Sequence, residues 1–399
     1  MPDRRYRVLI VGTHPVQFMP PTLREFARHP QLDIQVAYCS LQGAEPGLDP
    51  GFGIEVQWNI PMLEGYPWIL VPNRSPRPRL EHFWGLLNTG LWKLLRDGRF
   101  DAAVALTGYL YASFWILVAA ARRYRVPLLF GTDATSLKPR SGQRWRVHLK
   151  RFLLPKIFGM ASVVIVPSNG GVDYIRSLGI PASRIVMTPM VVDNHWWHSR
   201  AAQVDRGAVR RSWGVPEDAP VALFCAKLRP WKRPHDTLRA FVRAGVKDAY
   251  LVFVGVGPLR DELGAEAKSS GVEDRVRFLG FVNQSGLPAV YRASDLLVLP
   301  SDYDPCPIII PEAMACGCPT AISDEIRGRF DLVRPGKTGF IFPCGNIEAL
   351  SAILREALSN SHLLREFSQA ALKRMETWTI RDNVTAMVEA ISKACGDRK

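Results

Sequence analysis

The chain has 399 residues, 47% hydrophobic and 22% charged, a balance that excludes a disordered or fibrous protein. That length exceeds one ordinary core and predicts two domains of about 150 to 200 residues. The net charge is +14 and unevenly placed: residues 1–200 hold 24 Lys and Arg against 13 Asp and Glu, the remainder 27 against 24. The basic face therefore belongs to the first half.

The opening run MPDRRYRVLIVGTHPVQF is too short in its apolar part for a signal-peptide core and reads as a buried strand, Arg7 to Val11, entering a loop. Further strands follow at Leu32 to Tyr38, Ala102 to Leu106, Pro127 to Phe130 and Val163 to Val166, with helical periodicity between several of them. Two stretches in this half, RSPRPRLEHFWGLLNTGLWKLL and LKPRSGQRWRVHLKRFLLPKIFG, mix basic residues with Trp84, Trp92, Trp145 and Phe152. Lys138, Arg140, Arg144, Arg146, Lys150, Arg151 and Lys156 supply the charge of the second. Each stretch reads either as a helix on an anionic bilayer surface or as a helix whose apolar stripe packs on the core while its charges face water. No RRM, zinc-finger or helix-turn-helix pattern is present, so nucleic acid is not an expected partner. No stretch reaches about 18 uninterrupted apolar residues, and the chain is expected to be cytoplasmic, soluble or peripheral on a membrane's inner face.

The segment Thr188 to Arg206 breaks the rhythm, and a domain boundary is expected near residue 200. The second half then gives strands at Val221 to Ala226, Tyr250 to Val254, Val276 to Leu279, Leu296 to Leu299, Thr320 to Ile322 and Gly339 to Phe342. Strands alternating with helices predict an α/β class with two Rossmann-like, doubly wound domains, 1–200 and 201–378, facing a central cleft. Cysteines 39, 225, 306, 316, 318, 344 and 395 are an odd, scattered set and predict free thiols in a reducing compartment. Cys316-Gly-Cys318 lacks the CxxC spacing and has no His beside it, so no metal site is expected.

Lys227 ends one strand and Lys232 follows five residues later, before a helix beginning near Pro234. Two ammonium groups at a strand-to-helix turn suit a diphosphate, although basic turn residues are commonly just solvated. Gly255-Val-Gly257-Pro258 is a glycine-rich turn but not GxGxxG, which gives a dinucleotide cofactor little support. In SDYDPCPIIIPEAMACG, Asp304 precedes a helix closed by Gly317, and Glu312 lies inside it. The two carboxylates read either as ligands for sugar hydroxyls and a ribose or as a helix cap and a surface residue. On the first domain, His14, Gln17 and Asp133 lie in strand-end loops and are the acceptor-side candidates. His14 also suits a plain turn, and Asp133 a helix cap.

The ordered blocks AKLRPWKRPHDTLRAF, LVFVGVGPLRDEL, VRFLGFV, YRASDLLVLPS, Asp304 with Glu312 eight positions on, and GKTGFIFP resemble the carboxy-terminal half of glycosyltransferase family 4, retaining enzymes of the GT-B fold. HPVQFMPPTLREFA, DPGFG, EGYPW and MTPMVVDNHWW resemble a less common amino-terminal half of the same family. The resemblance implies a retaining, metal-independent transfer of a sugar from a UDP- or GDP-linked donor to an acceptor hydroxyl. In that chemistry the leaving diphosphate takes the acceptor's proton on the front face. It implies Lys227 and Lys232 on the phosphates, Glu312 on the ribose, Asp304 on the donor sugar, and Cys306, Pro307 and Ile308 approaching sugar and phosphate. Phe281 and Val282 would cradle the base, Gly255 and Gly257 would also belong to the donor site, and residues 379–399 would form a helix crossing back to the first domain. No cofactor is implied beyond the nucleotide sugar itself. The acceptor would be a glycan, a lipid-linked sugar or a small molecule. Asp304, Pro307 and Thr107 stand where relatives often carry Glu, Gly and His. Two other readings of the same residues are a nucleotide-sugar epimerase and a non-catalytic descendant that binds nucleotide sugar or membrane.

Overall fold

The computed structural model describes residues 4–49, 53–137 and 144–396; Lys138, Arg140 and residues 50–52 of the DPGFG run lie outside them. The strands are β1 Tyr6–Gly12, β2 Leu32–Tyr38, β3 Gly47–Asp49, β4 Ile54–Val56, β5 Trp68–Leu70, β6 Ala102–Leu106, β7 Leu128–Gly131, β8 Val163–Val166 and β9 Ile185–Met187. After them come β10 Val221–Cys225, β11 Tyr250–Val254, β12 Val276–Phe278, β13 Leu296–Leu299, β14 Thr320–Ser323 and β15 Gly339–Phe342.

Two main sheets result, ordered β5-β2-β1-β6-β7-β8-β9 and β12-β11-β10-β13-β14-β15, and β3 and β4 pair in a separate two-stranded sheet. The strand pairs of the two main sheets are parallel. The physical reason lies in the residues. On β1, Leu9 and Val11 enter one core while Val8 and Ile10 enter the core on the opposite face. A strand buried on both faces is apolar without alternation, and only helices on both sides can cover it.

The chain divides into two compact units, Met1–Gly47 with Pro61–Val191 and Ile380–Lys399, and Leu48–Ile60 with Val192–Thr379. The boundary expected near residue 200 therefore falls at residues 191 and 192. The broken rhythm of Thr188 to Arg206 resolves mostly after that boundary, into two capped helices of the second unit. Asp193 accepts from the Trp196 amide at 2.9 Å to start Asn194–Ala202, and Asp205 accepts from Ala208 at 2.9 Å to start Arg206–Ser212. The helix Ile380–Gly396 packs Val384, Met387, Ile391 and Cys395 into the first unit's core. Residues 48–60, sequentially part of the first half, belong to the second unit.

Candidate functional site

In the second sheet the strand order reverses between β10 and β13, which lie side by side at its centre. Loops leaving the carboxyl ends of such a pair diverge to opposite faces and open a crevice suited to a ligand. Lys227 stands two residues past β10, and the loop carrying Asp304 leaves β13. The loops are joined: the Asp302 amide donates to the Trp231 carbonyl at 3.0 Å, and the Lys232 ammonium pairs with the Asp304 carboxylate, both side chains largely buried. Asp304 therefore does not cap the following helix, Ile309–Ala315, whose N-cap is Ile308.

Lys232 closes a short 3-10 turn, Pro230–Lys232, and Arg233 after it adopts φ 52° and ψ 47°. A non-glycine residue before proline rarely sits there, and such strain of about 1–3 kcal/mol persists where surrounding contacts impose it. Arg233 Nε on Asp236 Oδ2 at 2.6 Å is one such contact.

Lys227 Nζ meets Asp49 Oδ1 at 2.9 Å. Asp49 closes β3, and residues 57–59 meet the second unit at another point. Trp58 packs edge-on against Phe281, ring centroids 6.0 Å apart. Asn283 Nδ2 donates to the Gln57 carbonyl at 2.6 Å, and the Asn59 amide donates to Asn283 Oδ1 at 3.2 Å. Asp49 and residues 57–59 thus touch Lys227 and the turn carrying Phe281 and Asn283.

Glu312 is not a surface residue; only 2% of it is exposed. Tyr291 Oη donates to its Oε2 at 2.9 Å and Gln284 Nε2 to its Oε1 at 3.4 Å. Each carboxyl oxygen keeps further acceptor capacity beyond that one bond. Burial pushes its carboxyl up to about 8, against the pull of those two hydrogen bonds. The folded state therefore holds a proton that the unfolded chain releases near pH 4.5. This contribution to stability is complete below that pH and drains away as pH rises to about 8. Glu312→Gln should lack this slope, so its melting temperature should gain on the wild type between about pH 5 and 8; parallel profiles would contradict it.

Gly255 and Gly257 owe their identity to backbone packing. Gly255 has φ 128°, and a Cβ there would strike the Ala226 carbonyl; one at Gly257 would strike the Leu228 carbonyl. They let the loops after β10 and β11 continue pairing, Ala226 and Leu228 amides to Val254 and Val256 carbonyls, 3.0 Å each. Cys306, Pro307 and Ile308 form the partly buried approach to the Ile309–Ala315 helix, and the Pro307 carbonyl accepts the Ile310 amide at 3.2 Å.

In the first unit, His14 and Gln17 follow β1, and Asp133 follows β7. Asp133 is exposed, and residues 134–137 are not helical. The turn is made by Thr132, whose Oγ1 accepts from the Ala134 amide at 3.2 Å. Thr107 follows β6 at this sheet's own reversal point, fully buried, and its hydroxyl has no hydrogen-bond partner. Among the described residues no His, Cys, Asp and Glu cluster of three or more is arranged to hold a metal ion. The cysteines are free thiols.

Asp49, Trp58, Gln284 and Tyr291 were not singled out in the sequence. Asp49 and Lys227 lie 178 residues apart, and no local pattern links them. The DPGFG run was the one available signal.

Two parallel sheets, each reversing order at its centre, with paired lysines and carboxylates at one reversal, define a two-domain α/β protein of the GT-B type. Residues 19–190 match the Glycosyl transferase 4-like domain and residues 205–374 match Glycosyl transferases group 1. The chain belongs to glycosyltransferase family 4. It is 25% identical over 267 residues to N-acetyl-alpha-D-glucosaminyl L-malate synthase of Bacillus anthracis, covering 67% of this chain and 66% of that protein. It is 33% identical over 217 residues to D-inositol 3-phosphate glycosyltransferase of Actinosynnema mirum, 49% of this chain and 51% of that one. The matches thus span about half to two thirds of these relatives. HepE of Anabaena, solved with UDP and glucose, shares the fold at TM-score 0.73 and 19% identity, over 97% of this chain and 100% of that one.

Proposed function

We propose that the chain transfers a sugar from a nucleoside-diphosphate sugar to an acceptor hydroxyl, with retention at the anomeric carbon and without a divalent metal. One observation carries this reading: Lys227 and Lys232 stand with Asp304 at the reversal point of the second sheet, a placement of two ammonium groups that suits a diphosphate. Their charge stabilises the leaving diphosphate, which takes the acceptor's proton as the hydroxyl attacks from the same face. Chemistry of that kind requires positioning and charge stabilisation more than a protein nucleophile. Glu312 is assigned to the ribose, held in orientation by Tyr291 and Gln284. Phe281, Val282 and Trp58 are assigned to the base, Asp304 and residues 306–308 to the donor sugar. The first unit takes the acceptor, through His14, Gln17 and Asp133. UDP is the first nucleotide to try, since HepE was solved with it. The setting is cytoplasmic, with a peripheral hold on a membrane's inner face.

The experiment is calorimetric titration of UDP, GDP and ADP into the wild type and Glu312→Ala, with chelator present. One nucleotide should bind the wild type and bind the variant at least about tenfold more weakly, the loss of one or two buried hydrogen bonds. If none of the three binds, the carboxylates and lysines are structural and the reading fails.

A further inference from the structure

The helix Arg144–Gly159 holds five Lys or Arg and no acidic residue. Its inner side chains Leu154, Ile157 and Phe158 join the first unit's core, with Phe158 stacked on Phe130 at 5.3 Å. A helix that merely covers a core turns its charged side to water. Here Trp145, Leu149, Phe152 and Leu153, at i, i+4, i+7 and i+8, form a second apolar stripe with 40–64% of each residue exposed. Lys156 lies over the Phe152 ring at 3.8 Å, so a cation is set within the stripe.

A second apolar group lies on the same unit. Phe83 and Trp84 meet edge-on at 5.0 Å and are exposed, as is Leu110. Their segments are tied together: Tyr111 Oη donates to the Leu80 carbonyl at 2.8 Å, and the Ser113 amide to the Leu86 carbonyl at 3.1 Å. Leu86 and Phe114 of these segments share the core that receives Leu154 and Phe158. A run of exposed apolar side chains rimmed by polar ones marks an interaction surface.

We infer that the outer face of the Arg144–Gly159 helix, with Phe83, Trp84 and Leu110, is an interfacial surface for an anionic lipid bilayer. Charge selects this occupant. The helix is wholly basic among its charged residues, and aromatic rings interleaved with Lys and Arg suit the headgroup layer, where the rings enter the acyl boundary and the cations stay among phosphates. Among the described residues no helix is long and apolar enough to cross a membrane. The inference deepens the peripheral setting proposed above, and its support lies entirely in the first unit.

Co-sedimentation tests it, using the full chain with vesicles of phosphatidylcholine alone and of phosphatidylcholine with about one third phosphatidylglycerol, at low and high salt. The wild type should bind the anionic vesicles, bind the neutral ones far less, and be released by salt. Trp145→Ser combined with Phe152→Glu should lower partitioning about tenfold or more, with nucleotide affinity and melting temperature unchanged, since both side chains face solvent. Failure to bind anionic vesicles, equal binding to neutral ones, or a double variant that binds as the wild type overturns the inference. So does concentration-dependent dimerisation abolished by the same variant, which would assign the stripe to a second copy. Nucleotide binding without vesicle binding sinks this inference alone; vesicle binding without nucleotide binding sinks only the transfer reading.

Discussion

Replacing Lys227 with methionine is expected to weaken binding of the nucleoside diphosphate by about ten- to a hundredfold, and replacing Asp49 with asparagine to strengthen it severalfold. The first effect follows from the loss of a charge-assisted hydrogen bond, worth about 1.5–3 kcal/mol. The second follows from competition. Asp49 Oδ1 lies 2.9 Å from the Lys227 ammonium, so a diphosphate on the same cation must displace the carboxylate or sit beside it. Like charges sharing one ammonium repel, and Asn keeps the side chain's shape while removing that repulsion. Both groups are partly exposed, so screening limits the gain, which should shrink as salt is added. Titration of the wild type and the two variants at two ionic strengths decides the matter. If Asp49→Asn binds more weakly, Asp49 positions Lys227 and does not compete for it.

Arg210→Met is expected to destabilise the second unit by about 3–5 kcal/mol, the cost of breaking a buried ion pair from one side. The Arg210 side chain is almost fully buried. Its Nε donates to the Ala293 carbonyl at 2.8 Å and its Nη2 meets Asp295 Oδ2 at 2.6 Å. Its Nη1 reaches the Glu217 and Ala219 carbonyls at 2.5 and 2.7 Å. Methionine fills part of the volume but supplies no donor, leaving three carbonyls short of partners in a dry setting, while Asp295 keeps Arg206 and one backbone amide. The cluster joins the helix Arg206–Ser212 to the base of β10 and β13, because Asp295 also accepts the Val221 amide at 2.7 Å. The same change at the neighbouring exposed Arg211 should cost less than about 0.5 kcal/mol. Denaturant titration of both variants measures the contrast; equal midpoints would show that the buried network contributes nothing.

The fold was legible wherever apolar runs were long enough to carry a pattern. Leu32–Tyr38, Ala102–Leu106, Val163–Val166, Tyr250–Val254, Leu296–Leu299 and Gly339–Phe342 form strands at the bounds expected from their residues. β3, β4, β5 and β9 are three residues each, too short to show a period, and they were missed. Lys227, Lys232, Asp304 and Glu312 could be named because each sits at a strand end or helix start, which local chemistry marks.

Their partners could not be named. Sequence by itself determined which segments are doubly buried strands, where helices start, and that two α/β units of one known family lie in this chain, since those properties rest on near neighbours and on residue type. Tertiary structure alone decided that residues 48–60 join the second unit, that Asp304 pairs with Lys232 where a helix cap was one reading, and that Glu312 is held in the dark between Tyr291 and Gln284. It also decided that the Arg144–Gly159 helix is apolar on both sides. Burial and long-range pairing depend on which surfaces the packed units cover, and no window of neighbouring residues contains that information.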